Sequence, residues 1–273
     1  MIAGVIDVIA SPWHLGTEDL GIGAGPRHLL AVADDRARFV DPPAGATEVG
    51  RMFEIQRAVG ELARGALEAG RAPLVLSGEC NPAVGTISAL ASLGRVGVVW
   101  FDAHADMNTP ETTESGFVDG MALAMVTGRC WRVLCRQASG WRPVSDRDVL
   151  LVGHRALDPA ERAELDRSAI NELPAGRTSQ IGELAIAVAE GVDALYVHVD
   201  LDVLDASEAR ANDWAVAGGP NLSELRSALG AVADTGKVRA AALTAFDPAS
   251  DETPRTAQAA AGVLTALREA LNR

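Results

Sequence analysis

Short apolar runs alternate along this chain with longer segments in which apolar residues recur at helical spacing. A helix is predicted where RMFEIQRAVGELARGALEAG repeats apolar positions every three or four residues and then reaches Gly70. Its apolar side consists of Met52, Ile55, Val59, Leu62 and Ala66. Strands are predicted for GVIDVIASP, APLVLSG, RVGVVWFDA, DVLLVGH, DALYVHVDLDV and VRAAALTAFDP. This mixture of strands and helices is typical of an α/β protein.

The predicted strands are continuously apolar rather than alternating. Strands of this kind are covered on both faces, as in a parallel sheet flanked by helices. Ligands of such sheets bind beyond the carboxyl ends of the strands, which is where this chain places its polar residues. No repeat, low-complexity tract or Pro/Gly linker divides the sequence, so one domain is expected over residues 1–273.

The charge of the chain restricts its partners. The 273 residues carry a formal charge of −13 at pH 7, which would repel both nucleic acids and anionic membranes. Neither is therefore expected as a partner. No stretch has the length of a membrane span or the order of a signal peptide, so a cytoplasmic location is expected. Three scattered cysteines, Cys80, Cys130 and Cys135, argue against a disulfide framework.

Acidic residues and a histidine follow two of the predicted strands. Asp102, His104 and Asp106 alternate directly after VGVVWF, and Asp200 and Asp202 end YVHVDLD. Alternate side chains of an extended segment share a face, so each cluster is predicted to converge. A single cluster could be a loop of caps and turns. Two clusters of ligands that suit a divalent cation such as Mn²⁺ predict a dinuclear metal site.

The segments around these clusters resemble the arginase and agmatinase family of ureohydrolases, which use two Mn²⁺ ions to hydrolyse guanidino groups. The resemblance rests on DAHAD followed by MNTPETTESG, on the later DLD, and on VIASPWHLGTEDLGIGAGP and FDP near the two ends. It implies a three-layer α/β/α fold with a central, mainly parallel sheet, and a homo-oligomer, either a trimer or a hexamer. The metal ligands that it implies are Asp102, His104, Asp106, Asp200 and Asp202.

Cys80 is a departure from the family pattern. Where the family usually reads Gly-Gly-Asp-His, this chain reads SGEC, so Cys80 stands at the position of a sixth ligand. It could be a ligand, a spectator beside a weakened metal site, or a small buried apolar residue. The ligand interpretation is favoured because other ligands are expected nearby. A thiolate would shift preference from Mn²⁺ towards Zn²⁺, Fe²⁺ or Co²⁺, and the substitution resembles bacterial family members that act on Nω-hydroxyarginine.

The resemblance also implies substrate-binding residues. In arginases the Asn and Ser of a DxNTP…TTxSG loop hold the substrate α-carboxylate, and Asn108 and Ser115 match them. VGHRALDPAE resembles the loop that contacts the α-amino group, which implies Asp158 and also Glu161. The same stretch fits a helix start with Asp158 as N-cap and Glu161 at the third position. Both roles can hold together.

Further positions differ from arginases. The histidine proposed to shuttle protons corresponds to Asp119, and the glutamate that grips the guanidinium corresponds to Ala245. Either another acid must then pair with the cation, or the site does not bind a full guanidinium. The candidate acids by residue type alone are Glu79, Asp247 and Glu111. Trp214 stands where arginases carry a small polar residue, so a reshaped pocket is expected. His198 is expected to be a core residue or to support a ligand.

The function implied by the resemblance is hydrolysis of an arginine-like amino acid by a metal-bridging hydroxide. Asp106 would orient this hydroxide, and Asp119 or solvent would return a proton to the leaving nitrogen. Cys80, Asp119 and Ala245 all point away from plain arginine, so Nω-hydroxyarginine is placed ahead of arginine, with ornithine and hydroxyurea or urea as products. The alternatives are hydrolysis of another guanidino or formimino compound, and a non-catalytic homologue that keeps the fold for assembly or sensing.

Overall fold

An eight-stranded sheet lies at the centre of the computed structural model, which describes residues 5–33, 35–250 and 254–273. The strands are β1 (Ile6–Ser11), β2 (Trp13–His14), β3 (Thr17–Glu18), β4 (Arg38–Phe39), β5 (Ala72–Ser77), β6 (Val96–Phe101), β7 (Val149–Val152), β8 (Asn171–Leu173), β9 (Ala194–Asp200) and β10 (Val238–Thr244). The sheet has the order β4-β1-β5-β10-β9-β6-β7-β8, and its pairs are parallel. Strands β2 and β3 form a separate antiparallel hairpin.

Helices cover both faces of the sheet. They are α1 (Gly25–Ala33), α2 (Glu48–Glu68), α3 (Ala83–Leu90), α4 (Ala122–Val126), α5 (Arg132–Cys135), α6 (Pro159–Arg167), α7 (Ile181–Glu190), α8 (Leu222–Ala233) and α9 (Arg255–Leu271). Successive residues of a strand enter opposite apolar clusters: Leu74 and Leu76 pack with α1, α7, α8 and α9, and Val75 packs with α2, α3 and α4. The predicted three-layer α/β/α fold is therefore confirmed. Within the described residues, no helix combines the length and apolar character that crossing a membrane requires.

The predicted strands and the predicted helix are present in the structure. Helix α2 begins three residues earlier than the apolar pattern suggested, because the Thr47 side chain accepts a hydrogen bond from Gly50 N (3.0 Å) and caps it. It ends shortly before Gly70, whose φ of 71° lies in the left-handed region. The edge strands β4 and β8 were not predicted, because segments of two and three residues are too short to show a periodic pattern.

The four strands β5, β10, β9 and β6 are neighbours, and their carboxyl ends meet at one edge of the sheet. The register pairs Thr244 with Ser77 on one side and with Asp200 on the other, and it pairs Phe101 with Val199. The loops that follow these strands therefore begin side by side. This edge is the place at which ligands of parallel sheets bind.

Candidate metal centre

Two groups of side chains that could hold metal ions lie at this edge, at and beyond the carboxyl ends of β5, β6 and β9. Cys80, Asp102 and Asp200 form the first group, here named the Cys80 group, and Asp102, His104 and Asp202 form the second, here named the His104 group. In each group one ligand atom per residue lies within 4.8 Å of the others. Asp102 belongs to both groups, so the two candidate ion positions are adjacent. Adjacent positions that share a carboxylate are the arrangement of two-metal hydrolytic sites.

The members of the two groups come together through turns of the backbone. The sequence prediction, that they share one face of an extended segment, was therefore wrong about the geometry. The chain bends directly after β6, and Asp106 has a φ of 52° in the left-handed region. Asp202 lies in the 3-10 turn Leu201–Val203, where its backbone N–H donates to Asp200 Oδ1 (2.9 Å). Turns therefore place side chains in the site that alternation alone would not have brought together.

Asp106 belongs to neither group but lines the same cavity. Its Oδ2 atom is buried and has no hydrogen-bond partner among the described residues. Burial, followed by repulsion from Asp102 and Asp119, raises the pKa of Asp106 well above its ordinary value. A buried carboxylate oxygen without a partner is unfavourable. A cation bound beside it would satisfy that oxygen, so Asp106 fits the role of a further ligand.

The site holds more buried acid than its own residues can neutralise. Burial and repulsion from neighbouring carboxylates raise the pKa values of Asp200 and Asp202 above their ordinary range. Burial acts to lower the pKa of His104. The hydrogen bond to Asp102 and the charge of Asp202 outweigh this effect and raise that pKa to about 9. Divalent cations would balance this charge. The donor set of carboxylate, imidazole and thiol atoms suits first-row divalent metals.

Cys80 contributes its sulfur directly to this cluster. The side chain is buried, Sγ donates to Asp200 Oδ2 at 3.1 Å, and Sγ lies 3.2 Å from Thr244 Oγ1. Burial, followed by the charges of Asp200 and Asp119, raises the pKa of the Cys80 thiol well above its ordinary value. The sulfur therefore faces ligand oxygens, as a metal donor would, rather than apolar side chains alone.

Asp119 fixes the backbone that carries Cys80. Its Oδ1 accepts from the backbone N–H groups of Cys80 and Asn81 (2.9 Å each) and from Asn81 Nδ2 (3.1 Å). Burial and the charge of Glu79 raise the pKa of Asp119 to about 7 despite these hydrogen bonds. Asp119 also lines the cavity. It therefore faces the cavity and also holds the backbone of Cys80, a member of one of the two groups.

The residues predicted to bind substrate line one cavity of about 290 Å³ together with members of both groups. Asn108, Ser115, Asp158 and Glu161 all lie on its wall. Asn108 Nδ2 donates to Asp158 Oδ2 at 2.8 Å. Asp158 Oδ1 accepts from the backbone N–H groups of Ala160 and Glu161, and Glu161 Oε2 accepts from Asp158 N, which forms a capping box. Asp158 thus caps α6 and lines the cavity.

Aromatic side chains from two loops form part of the cavity wall. Phe117 and Trp214 stack with ring centroids 5.1 Å apart and an interplanar angle of 14°. The ring of His14 meets both edge-on, at 5.7 Å and 6.4 Å. Trp214 is 43% exposed, although its ring is large and apolar. We name the pair Phe117 and Trp214 the aromatic wall; sequence reasoning missed Phe117 because its partner lies in a different loop.

The cavity wall around Ala245 holds none of the acids that the sequence suggested as partners for a guanidinium. Ala245 lines the cavity with a φ of 62°, and its carbonyl accepts from Asn212 Nδ2 at 2.9 Å. Asn212 also lines the cavity and was not predicted, since no motif marks it. The acids considered as partners for a guanidinium all lie outside the described lining of the cavity: Glu79, Asp247 and Glu111. Glu79 instead accepts from Leu15 N and Asn81 Nδ2.

His198 is a core residue, as one of its two interpretations proposed. The ring is fully buried and stacks on Trp100 with centroids 3.6 Å apart. Its Nδ1 lies 3.1 Å from the Tyr196 hydroxyl, and its Nε2 lies 3.3 Å from Thr244 Oγ1. Burial lowers the pKa of His198 to about 3, so the ring is neutral at physiological pH.

A parallel sheet between two helical layers, with paired metal-ligating groups at its carboxyl edge, defines an α/β protein with a candidate dinuclear metal site. The Arginase family model matches residues 6–268, and the chain belongs to the arginase family. The chain is 32% identical to an arginase of Bacillus caldovelox in an alignment of 276 positions that covers 97% of this chain and 88% of the relative.

Solved structures agree with this assignment. Arginase from Bacillus caldovelox superposes with a TM-score of 0.84 at 26% identity, covering 98% of each chain. Arginase from Bacillus subtilis has the same fold, with a TM-score of 0.85 at 24% identity over 99% of each chain. The protein is thus a hydrolase of amidino C–N bonds. The family generally uses a binuclear site, usually with manganese, and acts on small molecules.

Proposed function

We propose that this enzyme hydrolyses the guanidino group of an arginine-like amino acid, with Nω-hydroxyarginine preferred over arginine. The products would be ornithine and hydroxyurea or urea. The observation that carries the proposal is a single cavity lined by members of both metal-ligating groups and by Asn108, Ser115 and Asp158. A substrate that spans the cavity would contact both sets of residues at once.

Two divalent ions, Mn²⁺ above all, would be held by the Cys80 group, the His104 group and Asp106. When bound, such ions supply hydroxide near neutral pH by lowering the pKa of water. The unpartnered Oδ2 of Asp106 supports its inclusion, because this oxygen is buried in the cavity wall. Cys80 adds a soft donor to an otherwise hard set, so Zn²⁺, Fe²⁺ and Co²⁺ are the competing ions.

The remaining residues are proposed to bind and orient the substrate. Asp158 would pair with the α-ammonium group, since a carboxylate is the partner that an ammonium needs. Asn108 and Ser115 would donate hydrogen bonds to the α-carboxylate. Glu161 would hold the loop in place, because its Oε1 accepts from Met107 N at 3.1 Å, beside Asn108. This end of the substrate is then fixed, which directs the guanidino group towards the metal-ligating groups.

Asp106 and Asp119 are proposed as the catalytic side chains. Asp106 would accept a hydrogen bond from the attacking solvent and so orient it towards the guanidino carbon. The bond between that carbon and the substrate side-chain nitrogen then breaks, and Asp119 or solvent would return a proton to this nitrogen. In Nω-hydroxyarginine the hydroxylated nitrogen stays in the hydroxyurea product and is not the nitrogen that leaves. The preference for this substrate therefore rests on Cys80, which resembles the cysteine of family members that act on Nω-hydroxyarginine.

A second candidate substrate class is another guanidino or formimino compound. The observation that favours it is Ala245, which lines the cavity where the family resemblance places a guanidinium-binding glutamate. A substrate with a smaller or less basic amidino group would not require that carboxylate. Membership of a hydrolase family stands against the alternative of a non-catalytic homologue.

Product formation from arginine, Nω-hydroxyarginine and agmatine in parallel tests the proposal. The Mn²⁺-loaded protein should release hydroxyurea from Nω-hydroxyarginine faster than urea from arginine. It should act least on agmatine, which lacks the α-carboxylate that Asn108 and Ser115 would bind. Asp106→Asn is the matched loss-of-function variant and Asp166→Asn, on the exposed side of α6, is the control. Equal rates on all three substrates, or none on any, would contradict the proposal.

Assembly as a trimer or hexamer in the cytoplasm belongs to the same proposal and is supported by the family resemblance. Light scattering on the purified protein measures the mass of the assembly. A single species with the mass of three or six chains is expected, and a monomer at micromolar concentration would contradict this part.

A further inference from the structure

Arg155, which follows β7, binds the turn that carries Asp202. Its guanidinium donates to the backbone carbonyls of Asp202 (3.0 Å), Val203 (3.1 Å) and Leu204 (3.0 Å). It also donates to the carbonyls of Gly153, Val216 and Ala217. A single half-buried side chain thus connects β7, the turn after β9 and the loop that leads to α8.

The contacts of Arg155 satisfy carbonyl groups that have few other partners. The turn Leu201–Val203 is a short 3-10 helix, and the last carbonyls of a helix lack intrahelical donors. A guanidinium presents five N–H groups in a rigid plane and can bind several carbonyls at once, whereas an ammonium acts as a point charge. The backbone of Asp202 is therefore held by a geometry that only arginine supplies.

The space around Arg155 is tightly filled. A Cβ atom on Gly219 would lie 2.4 Å from the carbonyl oxygen of Val203 and 2.8 Å from Arg155 Nη2. Both distances are too short for carbon, so the backbone at Gly219 can approach the turn only because it has no side chain. A side chain at position 219 would therefore have to displace the guanidinium or the turn that it binds.

The two metal-ligating groups are supported differently. In the Cys80 group, Asp200 is the last residue of β9, held by the sheet, and the backbone of Cys80 is held by Asp119. In the His104 group, Asp202 lies beyond the sheet in the turn that Arg155 binds. Loss of Arg155 should therefore loosen Asp202 and leave the Cys80 group in place.

We propose that Arg155 is a positioning residue that sets the affinity of the His104 group for its metal ion, independently of the ion of the Cys80 group. The proposal rests on the proposed dinuclear site. It concerns the backbone of Asp202 and not a contact with substrate, so Arg155 would act through the ligand it holds.

Cobalt binding to the purified full-length chain tests this proposal. Co²⁺ is titrated into metal-free wild-type protein, Arg155→Lys and Cys80→Ser, and bound metal, visible absorption and the sulfur-to-cobalt charge-transfer band are recorded. In Arg155→Lys one of two ions should bind about 10 to 100-fold more weakly, the effect of losing a residue that supports a ligand. The charge-transfer band should persist. In Cys80→Ser the band should disappear while the other ion keeps its wild-type affinity.

Two controls separate positioning from general destabilisation. Arg142→Lys removes another arginine bond to a backbone carbonyl, that of Ala91, and should change neither affinity. The metal-free far-ultraviolet spectrum of Arg155→Lys should match that of wild type, and excess Co²⁺ should restore its second ion. Arg155→Gln, which retains a planar amide, is the second variant if the lysine variant does not fold.

The outcomes distinguish this inference from the proposed function. Wild-type protein that binds fewer than two ions overturns both. Wild-type protein that binds two ions, with both affinities unchanged in the Arg155 variants, overturns the role of Arg155 alone. Equal weakening of both ions, or a loss that excess metal does not restore, also overturns it, because a merely structural role would have that effect.

Discussion

The sulfur of Cys80 lies 3.1 Å from Oδ2 of Asp200, inside a group of carboxylates that otherwise offers only oxygen ligands. Thr244 Oγ1 lies 3.2 Å from the same sulfur. Since Cys80 is buried, these contacts restrict the orientation of its side chain. A metal ion bound by this group would meet one soft donor and several hard ones.

The first prediction concerns metal preference. Cys80→His replaces the thiol by the nitrogen donor that the family usually has at this position. Because soft thiolates favour zinc, the affinity of the variant for Mn²⁺ relative to Zn²⁺ should rise about tenfold. Competition titrations against a fluorescent chelator measure both affinities. The control is Cys130→Ala, a buried cysteine outside the described cavity lining. An unchanged ratio in Cys80→His would show that the sulfur does not bind the ion.

The second prediction separates the two roles of Asp158. Asparagine caps helices as well as aspartate does, so Asp158→Asn should keep the melting temperature within ~2 °C of wild type. It removes the charge proposed to pair with the substrate ammonium, so KM should rise about tenfold or more. Asp158→Ala loses both roles and should also be less stable by about 1 kcal/mol. Steady-state kinetics and thermal unfolding measure the two effects, and a normal KM in Asp158→Asn would remove Asp158 from substrate binding.

The third prediction concerns the aromatic wall. Trp214→Ala removes a stacked ring from the cavity wall, an interaction of about 0.5–1.5 kcal/mol beyond area burial. The cavity should become wider, so kcat/KM for N-substituted guanidino compounds should rise relative to that for arginine. Trp214→Phe keeps an aromatic face and serves as the control. If the ratio of the two kcat/KM values stays the same in Trp214→Ala, the wall does not contribute to selectivity.

The fourth prediction is a pH dependence of stability away from the site. Arg129 binds Asp146 through two hydrogen bonds, of 2.8 Å and 2.9 Å, and these lower the pKa of Asp146 below its ordinary value of 3.8. A lowered folded-state pKa contributes stability that is present above pH 3.8 and is lost as the pH falls through the folded-state value. Asp146→Asn should therefore be less stable than wild type at pH 7, and the difference should shrink towards pH 3.

Urea unfolding at several pH values measures this difference. The Asp146 side chain is partly exposed, so a midpoint shift equivalent to about 1 kcal/mol or less is expected at pH 7. Asp166→Asn removes a more exposed pair with Arg162 and should have a smaller effect. A difference that grows as the pH falls would show that the ion pair is not its source.

Much of the fold could be predicted because its signals are local. The continuous apolar runs of β5, β6 and β9 indicated strands that are covered on both faces. The structure confirms this, because every residue of these three strands is buried. The edge strands β4 and β8 could not be predicted in this way. Their hydrogen bonds depend on β1 and β7 as neighbours, and their own sequences are too short to specify a strand.

The sequence predicted which residues lie at the candidate site better than it predicted how the backbone places them there. Asp102, His104, Asp200 and Asp202 stand in short motifs at strand ends, and the structure brings them together. Asp106 was expected on the same extended face. It reaches the cavity from a left-handed turn instead and belongs to neither metal-ligating group.

By itself, the sequence determined which segments become the buried strands of the sheet and which residue types follow their carboxyl ends, because apolar patterning and the spacing within a motif are properties of neighbouring residues. Only the tertiary structure decided that Asp102 is shared between two groups, that Phe117 stacks on Trp214, and that Arg155 holds the turn of Asp202. These contacts join loops that are distant in the chain. Their geometry follows from strand order and backbone turns, which no local pattern encodes.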